Sequence, residues 1–281
     1  MSEWPYPRLI AHRGGGVLAP ENTLAALNTA VAHGYHGVEF DVMLSANGTP
    51  VVIHDETLER TTNGHGLVGQ TQDVDLARLD AGSWYSSQFV GEPLPLFSTF
   101  GARCVALGLW ANVEIKPAST DSKTEAETGY KTAKLASQIW QRGSGARLSP
   151  PLMPPSLLPS PLPSPSSPPP LPPLLSSFST TALQAAREAA PQLPRGLLYD
   201  NVPSDWVQTL TQLGCVSLHC NARHATVDLI VEARERGIPI ALYTVNDLQA
   251  IQDFFQQGVS AIFTDQLALA APLLRRFKQP G

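Results

Sequence analysis

Four short motifs near the start of the chain carry residues able to do chemistry together. They are His12-Arg13-Gly14-Gly15-Gly16, Pro20-Glu21-Asn22-Thr23, Glu39-Phe40-Asp41 and His54-Asp55. Glu39 and Asp41 are two apart, so in a strand both carboxylates project from one face while Val38, Phe40 and Val42 project from the other. Two carboxylates aimed into an enclosed space are costly without a cation, and hard oxygen donors suit Mg²⁺ or Ca²⁺. Imidazole as a side-chain type titrates near neutral pH, so His12 and His54 suit general acid and base work. Arg13 can hold a phosphate through two parallel hydrogen bonds, and the glycines after it allow a ligand close to the backbone. Asp55 has two readings, orienting His54 or forming the turn.

A second strand, Asn112 to Lys116, repeats the pattern. Asn112, Glu114 and Lys116 share one face, with Val113 and Ile115 on the other. Glu114 supplies a third carboxylate ligand and Lys116 a cation within reach of a phosphate oxygen. Either strand alone reads better as a buried ion-pair network without a metal. Two such strands ending at the same face favour a metal site made of Glu39, Asp41 and Glu114.

These residues need a scaffold that brings strand ends to one rim. Eight strand-like segments alternate with helical ones: Leu9–Ala11, Gly37–Leu44, Asn112–Lys116, Leu174–Phe178, Gly196–Tyr199, Cys215–Cys220, Ile238–Val245 and Ala261–Thr264, with Val51–Ile53 as a hairpin return. Helical spacing is found over Asn22–His33, Thr181–Ala190, Ser204–Leu213, Val227–Arg236 and Leu248–Gln257. This alternation predicts an α/β fold, a closed (β/α)8 TIM barrel, rather than an open sheet. Gly14-Gly15-Gly16 lacks the spacing of a dinucleotide fingerprint, and there is no Walker loop and no Gly-x-Ser-x-Gly elbow. Position near the ends of the last two strands makes Tyr243, Asn246 and Asp265 candidate pocket residues, with Tyr243 a candidate substrate contact. His219 is read as lining the barrel mouth. His33, His36, His65 and His224 read as loop or surface residues.

Two stretches interrupt the alternation. Residues 56–97 are rich in glycine and hold Trp84, Tyr85 and Phe89, which suits an inserted subdomain capping the mouth. Residues 150–173 contain 13 prolines in 24 positions. They read as a surface loop of low complexity, more plausibly a linker without a partner than a ligand for an aromatic groove.

The composition narrows the class. With 43% hydrophobic and 15% charged residues the chain has the makeup of a globular enzyme, and 281 residues suit one barrel. A net charge of -5 gives no electrostatic case for nucleic acid or anionic membranes. Cys104, Cys215 and Cys220 make neither a disulfide framework nor a zinc knuckle, and no secretory leader or long apolar run is visible, so a cytoplasmic protein is expected.

Taken in order, these motifs and Glu114-Ile115-Lys116 resemble those of the glycerophosphodiester phosphodiesterases, nearest to cytosolic bacterial members associated with glycerol 3-phosphate uptake. The likeness continues through Asp80-Ala81-Gly82-Ser83-Trp84-Tyr85, Gly91-Glu92-Pro93-Leu94-Pro95, Ser176-Ser177-Phe178, Tyr243-Thr244-Val245-Asn246 and Thr264-Asp265, and lapses only in the Pro-rich stretch. It implies one barrel domain over residues 1–281, with the insertion after His54-Asp55. It also implies metal-dependent hydrolysis of small glycerophosphodiesters to an alcohol and glycerol 3-phosphate. Glu39, Asp41 and Glu114 would bind Mg²⁺ or Ca²⁺, His12 and His54 would be the acid/base pair, and Arg13 and Lys116 would contact phosphate. The rivals are a related barrel phospholipase or lyase acting on intact lipids, and a scaffold using the Pro-rich loop. Head group, metal and oligomeric state stay open.

Overall fold

The computed structural model describes residues 4–145 and 171–276. In chain order its elements are β1 (Leu9–Ala11), α1 (Leu24–Ala32), β2 (Gly37–Leu44), β3 (Pro50–Val52), α2 (Asp73–Leu76), α3 (Phe97–Ala106), β4 (Trp110–Ile115) and α4 (Ser122–Gly145). There follow β5 (Leu174–Ser177), α5 (Thr180–Ala189), β6 (Arg195–Tyr199), α6 (Trp206–Leu213), β7 (Ser217–Asn221), α7 (Val227–Glu235), β8 (Ile240–Tyr243), α8 (Leu248–Gln257), β9 (Ala261–Thr264) and α9 (Leu267–Leu274). Eight strands pair in parallel in the order β1-β2-β4-β5-β6-β7-β8-β9, and β1 closes the circle on β9. This is the expected barrel. Most of the Pro-rich stretch lies outside the described residues; its last three residues lead into β5.

Alternation along each strand sorts the core into an outer and an inner layer. Val38, Phe40, Val42, Val113 and Ile115 face outward into one continuous apolar cluster with Phe97, Phe100, Ala133 and Trp140 of the helices. The helices begin where the strands end, and side-chain caps set their first turns. Thr23, Ser179, Thr226 and Asp247 each accept a hydrogen bond from the backbone three residues on.

The inner layer differs between the barrel's two ends. Its floor is apolar and aromatic: Tyr6 stacks on Trp110 with ring centroids 4.6 Å apart, and Ile10, Leu174, Ala241, Ala261 and Phe263 fill the space above. His219 belongs here and not at the mouth. It is fully buried, its Nε2 lies 2.9 Å from the Ser217 hydroxyl, and its ring packs beside Phe263 and Trp4. Alternation points the residue inward correctly. The height at which it sits depends on the stagger between strands, which a single strand does not reveal. Gly196 makes room for it, since a Cβ there would lie 2.8 Å from His219 Nε2.

The hairpin partner β3 runs antiparallel to the second half of β2, pairing Val42 with Val52 and Leu44 with Pro50. Beyond it, residues 53–96 cover a second apolar cluster of Met43, Val51, Ile53, Leu58, Val68, Leu76, Ala81 and Leu94. Glu92 of this segment accepts the backbone N–H of Ala25 at the start of α1, and the Tyr85 hydroxyl donates to the Val17 carbonyl.

Candidate active site

Register brings the carboxylates together. β2 and β4 pair Glu39 with Asn112 and Asp41 with Glu114, so Asp41 and Glu114 sit side by side at one height with Glu39 a step below. Each of the three offers an oxygen within 4.8 Å of the others. Glu39 Oε1 and Glu114 Oε1 are buried without a hydrogen-bond partner. Burial first, then repulsion from Asp41, pushes the Glu39 carboxyl well above the usual range and Glu114 up to about 7. Burial works the same way on Asp41, but His54, Lys116, Arg13 and a hydrogen bond from Asn22 outweigh it and hold that carboxyl low. Three oxygen donors, two of them orphaned and mutually repelling, fit a hard divalent cation.

Asn22 is a residue that helical spacing misassigns. It stays outside α1 with φ of 60°, and its amide spans Asp41, donating to Oδ2 at 2.9 Å and accepting from the backbone N–H. Asparagine is among the few residues that tolerate this left-handed backbone. Arg13 is left-handed too, with φ of 50°. That turn aims its N–H at Glu39 Oε2, 3.0 Å away, and its guanidinium at Glu21, with Nη1 2.8 Å from Oε1. Arg13 Nε is buried without a hydrogen-bond partner, 3.9 Å from Asp41. Gly16 completes the loop where only glycine fits, because a Cβ would collide with the Asp265 carbonyl.

The histidines stand on opposite flanks. His12 follows β1, whose last residue pairs with Thr264, so it lies beside Asp265 just past β9. Its Nδ1 is 2.6 Å from Asp265 Oδ1, and its Nε2 is 3.8 Å from Glu39. Asp265 is fixed in turn by the Asn246 amide at 2.9 Å. On the other flank Ile53 donates its N–H to the Asp41 carbonyl, which delivers His54 to the rim. His54 Nδ1 is 2.6 Å from Asp55 Oδ1, and its Nε2 is 3.1 Å from Lys116 Nζ. Lys116 also lies 3.5 Å from Glu114 and 4.0 Å from Asp41. Burial, more than any neighbour, pulls the His54 imidazole below its ordinary value.

Eight predicted site residues therefore divide into two groups. His12, Arg13, Glu39, Asp41, His54, Glu114 and Lys116 converge. Tyr243 sits at the same rim, but its hydroxyl donates to the Tyr199 carbonyl at 2.9 Å, leaving its ring, packed edge-on against Phe178, as the part available to a ligand. Sequence spacing misses Asn22, Glu21 and Arg60; only the likeness of Pro20-Glu21-Asn22-Thr23 singles out the first two. Two cavities open from this centre. One, of about 610 Å³, runs past His54, Lys116, Ser119, Glu125 and Phe178. The other, of about 400 Å³, runs past His12, Arg13, Glu21, Trp84 and Tyr85.

Known proteins resemble this chain in sequence and in architecture. The family model described as "Glycerophosphoryl diester phosphodiesterase family" matches residues 12–148 and 171–269. A glycerophosphodiester phosphodiesterase from Caldanaerobacter subterraneus is 29% identical over 273 residues, covering 95% of this chain and 98% of its own. An Oleispira antarctica phosphodiesterase, solved in complex with the product sn-glycerol-3-phosphate, superposes with a TM-score of 0.80 at 31% identity, covering 97% of this chain and 98% of its own. A glycerophosphodiester phosphodiesterase from Agrobacterium tumefaciens has the same fold, with a TM-score of 0.69 at 24% identity, covering 94% and 99% of the two chains. The chain is thus an enzyme on a (β/α)8 barrel and belongs to the glycerophosphoryl diester phosphodiesterase family.

Proposed function

We propose that the barrel mouth hydrolyses water-soluble glycerophosphodiesters, such as glycerophosphocholine or glycerophosphoethanolamine, to the free alcohol and sn-glycerol 3-phosphate. The observation that carries this reading is the pair of His–Asp dyads facing one buried three-carboxylate cluster, with Arg13 and Lys116 between them. The relative solved with sn-glycerol-3-phosphate supports the product assignment.

Glu39, Asp41 and Glu114 would hold Mg²⁺ or Ca²⁺. When bound, the cation neutralises phosphate charge and stabilises the charge that grows on the oxygens in the transition state. The protein's own groups do the rest. Arg13 and Lys116 bind the phosphodiester oxygens, and the buried Arg13 Nε is a donor free for this. Each histidine donates Nδ1–H to its aspartate, so each keeps Nε2 toward the substrate for proton transfer. One imidazole takes the proton of the attacking hydroxyl and the other gives a proton to the departing alkoxide. A P–O bond forms as the P–O bond to the alcohol breaks.

The whole chain then acts as one phosphodiesterase domain, with residues 56–97 as a cap whose Trp84 and Tyr85 wall the His12 side. Tyr243 and Phe178 offer an apolar edge on the His54 side. No helix among the described residues is long and apolar enough to cross a membrane. Three buried cysteines without disulfides agree with a reducing, cytoplasmic setting. The test is glycerophosphocholine hydrolysis by the purified chain with Mg²⁺ or Ca²⁺, before and after chelation. Activity that survives complete chelation sinks the metal-dependent scheme, and release of phosphocholine instead of choline sinks the bond assignment.

A further inference from the structure

Arg60 lies in the segment between β3 and α3, outside every helix and strand, and its side chain is 43% exposed. An exposed arginine in an ion pair is ordinarily worth little. The contacts here are of another kind. Its Nη1 and Nη2 donate to the two oxygens of Glu21, each at 2.8 Å. Its Nε and Nη2 donate to the two oxygens of Asp55, the latter at 3.0 Å. Both carboxylates are already engaged with the site. The Asp55 oxygen that accepts from Arg60 Nη2 is the one 2.6 Å from His54 Nδ1. The Glu21 oxygen that accepts from Nη2 is the one holding Arg13 Nη1 at 2.8 Å. One guanidinium nitrogen thus joins the two carboxylates that orient the two groups.

We infer that Arg60 is a positioning residue that sets His54 and Arg13 relative to each other through Asp55 and Glu21. The inference rests on the hydrolytic reading above and adds to it a residue that touches no substrate. The His12 flank explains the need. Asp265, one residue past barrel strand β9, is fixed by Asn246, three residues past barrel strand β8, whereas Asp55 follows the hairpin strand β3 outside the parallel circle and has Arg60 as its fixed point. Both carboxylates respond to it. Hydrogen bonding from Arg60 is the largest influence on Asp55 and holds it far below the usual range; at Glu21, burial pushes upward and the Arg60 bonds are the strongest counterweight. Lysine cannot substitute, because a single ammonium does not present a planar fork to two carboxylates.

The test separates the two arms. In the metal-loaded enzyme, Asp55→Asn should lower kcat with KM little changed, and Glu21→Gln should raise KM with kcat little changed. Arg60→Ala should do both, with kcat/KM down roughly 10–100-fold, the range for partners that orient active-site groups. Arg60→Lys should not restore activity, and added guanidinium should recover part of it in Arg60→Ala. The double variant Arg60→Ala/Asp55→Asn should lose no more kcat than Asp55→Asn alone, because both act through His54. Arg60→Ala within twofold of wild type, or kcat losses that multiply, overturns the inference. A readout without turnover keeps it distinct from the hydrolytic reading. The Nδ1 proton resonance of His54 should be present in the wild type and lost or shifted in Arg60→Ala, and an unchanged resonance overturns the inference even if glycerophosphocholine is not hydrolysed.

Discussion

The two flanks of the active site solve one problem with different materials. On each, an aspartate oxygen lies 2.6 Å from a histidine Nδ1; Nε2 of His12 lies 3.8 Å from Glu39, and Nε2 of His54 lies 3.1 Å from Lys116 Nζ. The His12 flank is built from residues that closely follow strands of the parallel circle: His12 after β1, Asp265 after β9 and Asn246 after β8. The His54 flank is built outside the parallel circle: His54 and Asp55 follow the hairpin strand β3, and Arg60 reaches back from the segment beyond it. Geometry set by strand register is inherited from the whole fold. Geometry set by loops must be secured by its own ion pairs. The segment that follows His54-Asp55 therefore contributes Arg60 to one flank of the candidate site.

Four experiments break or sharpen this contrast, and removing either imidazole should have the largest effect. His12→Ala and His54→Ala should each lower kcat by about 10²–10⁴, the usual contribution of a positioned acid or base, and a variant with near-normal kcat would remove that residue from the proton-transfer pair. Next come the aspartates. Asp265→Asn should lower kcat about 100-fold and Asp55→Asn about 10-fold, because among the described residues Asp265 is the one side-chain hydrogen-bond partner of the His12 ring, while His54 keeps its contact with Lys116. Equal losses would erase the distinction between flanks.

The third experiment concerns a histidine with no carboxylate partner. His219 sits in the floor, where burial lowers its pKa from 6.5 to about 3. The unfolded chain binds this proton and the folded one does not, so the group's contribution to stability is complete above pH 6.5 and is lost as pH falls toward 3. By pH 5 the loss is about 2 kcal/mol. Urea midpoints between pH 7 and pH 5 should show it, and His219→Gln should flatten that slope while leaving the active site's own acid limb in place. An unchanged slope would mean that the floor tolerates a charged imidazole. The smallest effect belongs to the Pro-rich stretch. Deleting residues 150–170 should leave kcat and KM unchanged, as the described residues after it enter the floor side of the barrel, where the Pro172 carbonyl accepts from Trp110. A large loss of kcat would tie that stretch to the mouth.

What could be read without coordinates follows from periodicity. A strand alternates strictly, so Glu39 and Asp41, and Asn112, Glu114 and Lys116, are assigned to one face from spacing alone. Eight alternations are enough to argue closure. What could not be read depends on register, backbone handedness and loops. No local pattern shows that Asp41 stands opposite Glu114, or that His219 lies low in the barrel. Asn22 looks like the first residue of a helix, and only its left-handed backbone turns its amide onto Asp41. Arg60 has no periodic neighbours at all, and its role exists only where two loops meet.

The contact between His12 and Asp265 spans 253 positions of sequence. During synthesis the chain emerges at about 5–20 residues per second, so more than ten seconds separate the appearance of the two partners on the ribosome. Until β9 docks beside β1, His12 lacks its contact with Asp265, and the strands that carry Glu39, Asp41 and Glu114 lack a closed wall behind them. On the proposed mechanism a chain whose β9 has not yet docked lacks one of its two His–Asp dyads, so turnover would report that the circle of strands has closed.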